Sequence, residues 1–554
     1  MHRDAEKPDG VIITSLYRLF DDIRAFYVDS PLIQRDLDRD RLTITNRVKH
    51  EGIAFLEVAL PSLGDAYLRM IDTRTYTPPR GFSAKRPELF RWAFRGYVVD
   101  WKLETFPPPD VVTHILQLCF FFKKILRPVR DDHASSETVK FLGRNSLAWS
   151  LPDLSKAREF IHNLYSDYDK DLLLPGHGPG AVFERTRHHK SLNFRLCFQS
   201  EVVFPAKQWL FHSDGLRYTA DVLRPKAHYS SRMVFVPKTA KGPRAIAIEE
   251  TNAQFLQQGI MRYMMSRLKR SGTDLRDQSR MHLLASQHNA TIDFSAASDS
   301  ISVRLVESLF PQDLLEALLA TRSMTCVTEL GEVNLSIYAT MGNATCFPVL
   351  TTVLLGLLHQ SGTRGHAYGD DIIVEGCPSA FLSLASACGF VLNEKKSFFS
   401  DSLSESCGRY FYFDKDVTPA YLRQPSVSGP QGLVGLSSTS DQLYDRFYLR
   451  AAQHLADVVE RVIGPLPVTK SSRGYLSKVS ARAPRELLPK IVRYRRSSSS
   501  FLFRGWLVRN DASNLSYNEI DALHLTLIRP SFNGFRAKAR PTIKLVRKLV
   551  SDAF

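Results

Sequence analysis

The stretch His366-Ala367-Tyr368-Gly369-Asp370-Asp371-Ile372-Ile373-Val374 sets the terms on which the fold is read. Apolar residues flank a Gly-Asp-Asp centre, a pattern that predicts a short β-hairpin whose tight turn uses Gly369 and carries two adjacent carboxylates. Neighbouring carboxylates repel each other, so keeping both ionised calls for a cation, and hard oxygen donors of this kind suit Mg²⁺. Asp is also a common turn former, so a second reading leaves Asp370 and Asp371 as turn residues only. The flanking sequence has to choose between the two.

Upstream, Met341-Gly342-Asn343-Ala344-Thr345 is a turn leading into an apolar helix from Phe347 to about His359. Asn343 there is either a helix cap or a ligand for a hydroxyl group. Further back, Ala290 to Phe294 reads as a buried strand ending at Asp293. Ser300 is placed to cap the helix suggested by Ile301, Leu305, Val306 and Leu309. A second helix is expected after Pro311, burying Leu314, Leu315, Leu318 and Leu319.

Residues 232–248 read as two β segments joined through a bend, with Lys238, Lys241 and Arg244 around it. Three cations so placed suit a triphosphate, and a solvated basic hairpin is the plainer alternative. Asn252 to Lys269 is helical in pattern. Downstream of the hairpin, Leu382 to Cys388 reads as a helix, Asn393-Glu394-Lys395-Lys396 presents two lysines, and Cys407 to Phe413 is strand-like.

The outer regions carry weaker signals. Val111 to Leu126 predicts a helix, with Lys123 and Lys124 either at its solvated basic end or against phosphate. Pro175-Gly176-His177-Gly178-Pro179-Gly180 lacks the Gly-Lys-Ser/Thr ending of a P-loop and the spacing of a dinucleotide fingerprint. It is an ordinary loop or a backbone able to approach a phosphodiester. From about residue 425 the chain turns richer in Ser and basic residues. Two basic clusters stand out, one in Arg493-Tyr494-Arg495-Arg496-Ser497-Ser498-Ser499-Ser500 and one in an acid-free tail comprising Arg536, Lys538, Arg540, Lys544, Arg547 and Lys548. Each suits an acidic partner such as RNA, or a solvated face.

At 554 residues the chain is long for one core, so several subdomains are expected. With 44% apolar and 11% aromatic residues it has the composition of a folded protein. A formal charge of +16 favours a polyanionic partner, with nucleic acid ahead of a membrane surface. The longest apolar runs, Ile115 to Phe122 and Phe347 to Leu358, are short of the roughly 18 residues of a membrane span and predict buried helices. No apolar segment follows Met1 to Lys7, so no signal peptide is read and a cytosolic location is expected. Seven cysteines, none spaced as a CxxC pair, argue against a disulfide framework and a zinc site.

Taken in order, these elements are a basic hairpin, a strand ending in Asp, a Gly-Asn turn before a helix, the Tyr-Gly-Asp-Asp hairpin, a lysine pair and an aromatic strand. They resemble motifs F, A, B, C, D and E of RNA-dependent RNA polymerases. Ala245-Ile-Ala-Ile-Glu249, Asp293-Phe-Ser-Ala-Ala-Ser-Asp-Ser-Ile-Ser302 and Glu405-Ser-Cys-Gly408 are similar to the replicase subunit of small positive-strand RNA phages, the leviviruses. The likeness is good from about residue 230 to 425 and loose on both flanks.

The resemblance implies an α+β right-hand fold of fingers, palm and thumb, the palm being an antiparallel sheet backed by helices. Residues 1–110 would pack on fingers or thumb, 111–285 would be mainly fingers, 286–425 the palm and 426–554 the thumb with a basic C-terminal region. Two Mg²⁺ ions would be held by Asp293, Asp370 and Asp371, the last as a supporting acid, and Lys238, Lys241 and Arg244 would hold the triphosphate. Lys395 or Lys396 would protonate the leaving pyrophosphate. Ser298, Asp299 and Asn343 would bond the ribose 2′-hydroxyl, where reverse transcriptases resemble a pattern with a bulky aromatic. One departure stands out: Ser298 occupies the position five after Asp293 where many viral polymerases have an aspartate, and Asp299 follows it. Implied partners are template and product RNA, nucleoside triphosphates, host elongation factors Tu and Ts and a small-subunit ribosomal protein, in the cytoplasm of an infected bacterium and away from membranes. A reverse transcriptase, a two-metal nuclease and a non-catalytic RNA-binding protein are the alternatives.

Overall fold

The computed structural model describes residues 8–83, 85, 87–146, 150–178, 180–184, 228–287 and 289–469, with strand segments at 475–476, 478–479, 491–495, 500–511, 514–516, 536–538 and 542–552. Helices and mostly antiparallel sheets give a mixed α and β fold organised around two large apolar cores.

The first core joins distant parts of the chain. Helices Pro8–Phe26, Leu60–Thr73 and Pro109–Phe120 bury Leu16, Leu19, Leu68 and Phe120 with Leu436 and Leu455 of helices Pro430–Asp445 and Leu449–Ile463. Asp22 accepts hydrogen bonds at 2.9 Å from the backbone N–H groups of Arg450 and Ala451, satisfying donors left free at the start of Leu449–Ile463. The sequence division between residues 110 and 111 falls inside Pro109–Phe120, whose buried residues belong to this core. The apolar run Ile115 to Phe122 is buried here, and no helix among the described residues is long and apolar enough to cross a membrane.

The second core lies under a three-stranded antiparallel sheet in which Asp371–Val374 is central, with Ala290–Asp293 on one side and Gly365–Tyr368 on the other. Helix Cys346–Gln360 is apolar almost all round, with Val349, Val353, Leu354 and Leu357 fully buried, as a helix enclosed by neighbours must be. Helix Ser155–Leu164 packs on it through Ala157 and Ile161 beside Gly356. A separate four-stranded sheet has the order Gly242–Glu249, Tyr229–Thr239, Ser323–Thr328, Gly331–Asn334, and helix Asp131–Asn145 lies against Gly242–Glu249. The 175–178 part of the glycine-rich loop packs on helix Thr251–Arg270, where an added Cβ at Gly259 would lie 3.1 Å from Pro175 N. Pro179 lies outside the described residues.

Local expectations change in three places. The helix after Asp293 is capped by Ser302, whose Oγ accepts from Leu305 N at 3.1 Å, because residues Ala297–Ser300 form a separate 3₁₀ turn that moves the helix start. Cys407 and Gly408, read as part of a strand, make a two-residue turn with φ of 51° and 80° between Leu403–Ser406 and Arg409–Tyr412. Lys123 and Lys124 are not on a solvated face: Lys123 pairs with Asp65 at 2.7 Å, and Lys124 sits 3.8 Å over the Tyr421 ring. Burial pushes Lys124 down to about 8, with Arg423 and Lys123 adding to it. Near the C-terminal end, Lys544, Arg547 and Lys548 lie on strand Thr542–Asp552, which pairs along its length with Ser500–Asp511. Arg496 and Arg540 lie outside the described residues, and the six described cysteines are free.

Candidate active site

The Gly-Asp-Asp hairpin is tight because Tyr368 pairs directly with Asp371, leaving only Gly369 and Asp370 in the turn. Gly369 takes a left-handed φ of 65°, and a Cβ there would lie 2.1 Å from the Phe347 ring. Its N–H donates to Thr351 Oγ1 at 3.0 Å, fixing the tip to helix Cys346–Gln360. On the other edge, Asp371 stands in register opposite Asp293. One end of the sheet therefore carries three carboxylates. Asp293 and Asp370 line a cleft of roughly 550 Å³, whereas Asp371 is set back and accepts from Cys407 N at 3.3 Å.

These acids disfavour one another's charge. Burial raises the Asp293 carboxyl above its ordinary value, Lys396 opposes the rise and Asp370 adds to it. Burial, then Glu405 and Asp370, push Asp371 up to about 7. Glu405 is itself raised by burial. A bound cation would relieve this mutual repulsion.

The two lysines part company. Lys396 Nζ lies 3.6 Å from Asp293 Oδ2, which also accepts the Asn393 side-chain amide, and Asn393 N donates to the Asp293 carbonyl at 2.9 Å. Burial works against the Lys396 charge, but Asp293, Glu405, Asp371 and Asp370 hold it above the usual lysine value. Both side chains are exposed, Lys396 at 55%, but Lys395 lies among the charges around Lys241 and not beside Asp293.

The basic hairpin divides in a similar way. Its strands Tyr229–Thr239 and Gly242–Glu249 keep register through Val236 opposite Arg244, then slip before Thr239 opposite Gly242. Lys238 and Arg244 line the cleft. Burial lowers Lys238, Arg244 and Lys396 lower it further, and Asp293 and Asp370 pull it back up. Lys241, beyond the slip, is not among the cleft residues and faces Asp65, Lys123 and Lys395.

Ser298, Asp299 and Asn343 all line the cleft. Helix Cys346–Gln360 begins after Thr345, so Asn343 is outside it; its Oδ1 accepts from Thr345 N at 2.8 Å and Thr345 Oγ1 at 2.7 Å. A backbone N–H can only donate, so the amide is oriented with Nδ2 as the remaining donor. Asn343 is 5% exposed, and its buried Nδ2 lies beside the Glu249 carboxyl, whose charge it favours. The loop is held close: Ala247 N donates to Met341 O at 2.8 Å, and a Cβ on Gly342, at φ 132°, would meet Ala247 O at 1.8 Å. Asp299 Oδ2 accepts a hydrogen bond from Arg144 Nε at 2.8 Å and forms an ion pair with Nη2 at 2.8 Å, and its Oδ1 accepts from Ser298 Oγ at 3.3 Å.

Arg144, Asn393, Glu249 and Glu405 are the site neighbours that sequence reasoning did not single out. Asn393, Glu249 and Glu405 lie within quoted motifs, while nothing local marks Arg144, which reaches Asp299 across 155 positions.

Residues 134–436, which contain every cleft residue, match the family model described as RNA replicase, beta-chain; the chain belongs to that family. It is similar to the RNA-directed RNA polymerase beta chain of Escherichia phage MS2, with 32% identity over 329 residues, 54% of this chain and 59% of the relative. It is also similar to the corresponding beta subunits of Enterobacteria phage SP, at 36% over 305 residues covering 52% and 53% of the two chains, and of Escherichia virus Qbeta, at 36% over 237 residues covering 39% and 40%. The chain thus spans about three-fifths or less of the length of these relatives. Among solved structures it overlaps the RNA-dependent RNA polymerase of a human picorbirnavirus, an insertion-loop deletion mutant, at a TM-score of 0.35 and 14% identity over 60% of this chain and 78% of the other.

Proposed function

We propose that this chain is an RNA-directed RNA polymerase that copies single-stranded phage RNA by two-metal nucleotidyl transfer. The observation that carries the reading is one cleft in which Asp293 and Asp370 face Lys238 and Arg244, with Asp371 opposite Asp293 in the sheet. In this reading residues 286–425 are the palm, 111–285 mainly the fingers, 426–554 the thumb and basic C-terminal region, and 1–110 an N-terminal region packed against them.

Asp293 and Asp370 would hold two Mg²⁺ ions, with Asp371 behind them. Among the described residues no three acid, His or Cys side chains form a ready-made cage. That fits Mg²⁺, which commonly takes one or two carboxylates and completes its shell with substrate phosphates and water. When bound, such ions lower the pKa of the attacking hydroxyl and neutralise the departing pyrophosphate. The protein's own part is positional. Lys238 and Arg244 grip the triphosphate, Lys241 guides it from outside the cleft, and Asn393 holds the Asp293 carboxylate still. Lys396, whose Nζ lies beside Asp293, rather than Lys395, would give a proton to the leaving group. Asp299, Ser298 and Asn343 read the ribose.

Template and product RNA and nucleoside triphosphates are the partners this chemistry needs, and the net charge of +16 suits them. Assembly with elongation factors Tu and Ts and a ribosomal protein, in the cytoplasm of an infected bacterium, belongs to the same proposal and rests on the family likeness. The test is incorporation of labelled ribo- and deoxyribonucleotides on an RNA template with and without Mg²⁺. Asp370→Asn is expected to abolish synthesis while RNA binding is kept. Full synthesis by that variant would remove the metal assignment, and a preference for deoxynucleotides would move the reading to a reverse transcriptase.

A further inference from the structure

We propose that Arg144 is a positioning residue that sets sugar specificity, by holding the Asp299 carboxylate in the orientation that receives the ribose 2′-hydroxyl. The inference rests on the polymerase reading above. The Arg144 Nε hydrogen bond and the Nη2 ion-pair contact both fall on the same oxygen, Asp299 Oδ2, so Oδ1 keeps only the longer Ser298 contact and has a lone pair to spare. Asn343, whose buried Nδ2 lies beside the Glu249 carboxyl, lines the same cleft. A ribose 2′-hydroxyl can give its proton to Asp299 Oδ1, and a deoxyribose has none to give.

The base of Arg144 is fixed as a positioning role requires. Its neighbour Asn145 donates to Asn334 O at 2.8 Å and accepts from Ser336 N at 3.0 Å, while the Ser336 hydroxyl bonds the Asn145 carbonyl. The segment that receives Asn145 is held in turn by buried Arg322, which donates to the carbonyls of Leu335, Ile337 and Tyr338 at 2.7, 3.1 and 3.0 Å. The end of helix Asp131–Asn145, and with it the backbone of Arg144, is thereby tied to the 334–338 segment. Burial raises the Asp299 carboxyl, Arg144 is the group that chiefly opposes the rise, and Glu137 from the same helix adds to it. Without Arg144 the carboxylate loses both its charge partner and its fixed direction.

The test is steady-state kcat/KM for GTP and dGTP on one RNA template, using the full chain with Arg144→Met, Arg144→Lys, Asp299→Ala and the Arg144→Met/Asp299→Ala pair. Arg144→Met is expected to lower the GTP value by roughly tenfold or more with little change for dGTP, as loss of a charged hydrogen bond would. Arg144→Lys should recover part of the ratio, and adding Arg144→Met to Asp299→Ala should not change the ratio further. Equal losses for the two nucleotides would make Arg144 a structural or phosphate-binding residue and overturn the inference, as would an unchanged ratio in Arg144→Met. A wild-type chain inactive with both nucleotides, even when elongation factors Tu and Ts and the ribosomal protein are added, would instead bring down the polymerase reading itself.

Discussion

Lys396 holds its Nζ 3.6 Å from Asp293 Oδ2, while its neighbour Lys395 lies among the charges around Lys241. Lys396→Ala is therefore expected to cut the single-turnover rate by about a hundredfold, within the range of a lost general acid, with little effect on nucleotide binding. Lys395→Ala should keep most of the rate. Rapid-quench measurement of both variants checks the assignment, and equal losses would leave neither lysine favoured.

The slip in the basic hairpin separates the cations that share the cleft with Asp293 from the one at the bend. Arg244→Ala and Lys238→Ala should each raise the nucleotide KM by about tenfold, the size of a lost charge-assisted contact. Lys241→Ala should raise it less. A larger effect at Lys241 would place the triphosphate outside the cleft.

Gly369→Ala puts a methyl group 2.1 Å from Phe347 Cε2 at a φ of 65°. A destabilisation of about 1–3 kcal/mol is expected from backbone strain and the clash together. Because Phe347 is 37% exposed, Phe347→Ala on the same background should return part of that loss. Urea unfolding of the single and double variants measures it, and additive losses would show that the backbone alone sets the cost.

Glu249 is buried beneath the cleft, where Ser323 Oγ donates to it, and burial pushes its carboxyl up to about 7. The unfolded value is about 4.3, so between these the folded chain keeps a proton that the unfolded chain has lost. Stability falls with pH wherever the native state binds more protons. The contribution is full below pH ~4 and is lost as pH rises through about 7. Glu249→Gln lacks this loss, so its Tm relative to wild type should rise between pH 5 and pH 8.5, by the equivalent of about 2–3 kcal/mol at the upper end. A difference that does not change with pH would show that Glu249 is ionised in the folded chain.

Much of the sheet and hairpin framework was legible because its signals are local. Alternation around Gly369, the strand ending at Asp293 and the apolar run into Cys346–Gln360 each fall within a few residues. What was not legible depends on partners far away in the chain. Lys123 and Lys124 read as surface because Asp65 and Tyr421, which engage them, lie elsewhere in sequence. The parting of Lys238 from Lys241 comes from a register slip that composition does not encode. Cys407 in a left-handed conformation is unusual for a non-glycine residue, so a strand was the better reading of its neighbourhood. Arg144 had no local mark at all, since its meaning lies in Asp299.

The bonds from Arg450 and Ala451 to Asp22 also set a timetable for synthesis. Every residue of the cleft is made before helices Pro430–Asp445 and Leu449–Ile463, yet Leu16, Leu19 and Phe20 have their packing partners among those late helices. Arg450 follows Asp22 by 428 positions. At bacterial translation speeds of roughly 5–20 residues per second, the first helix waits about 20 to 90 s for these partners. A nascent chain just short of Leu449 holds every residue of the cleft and still has an unclosed first core.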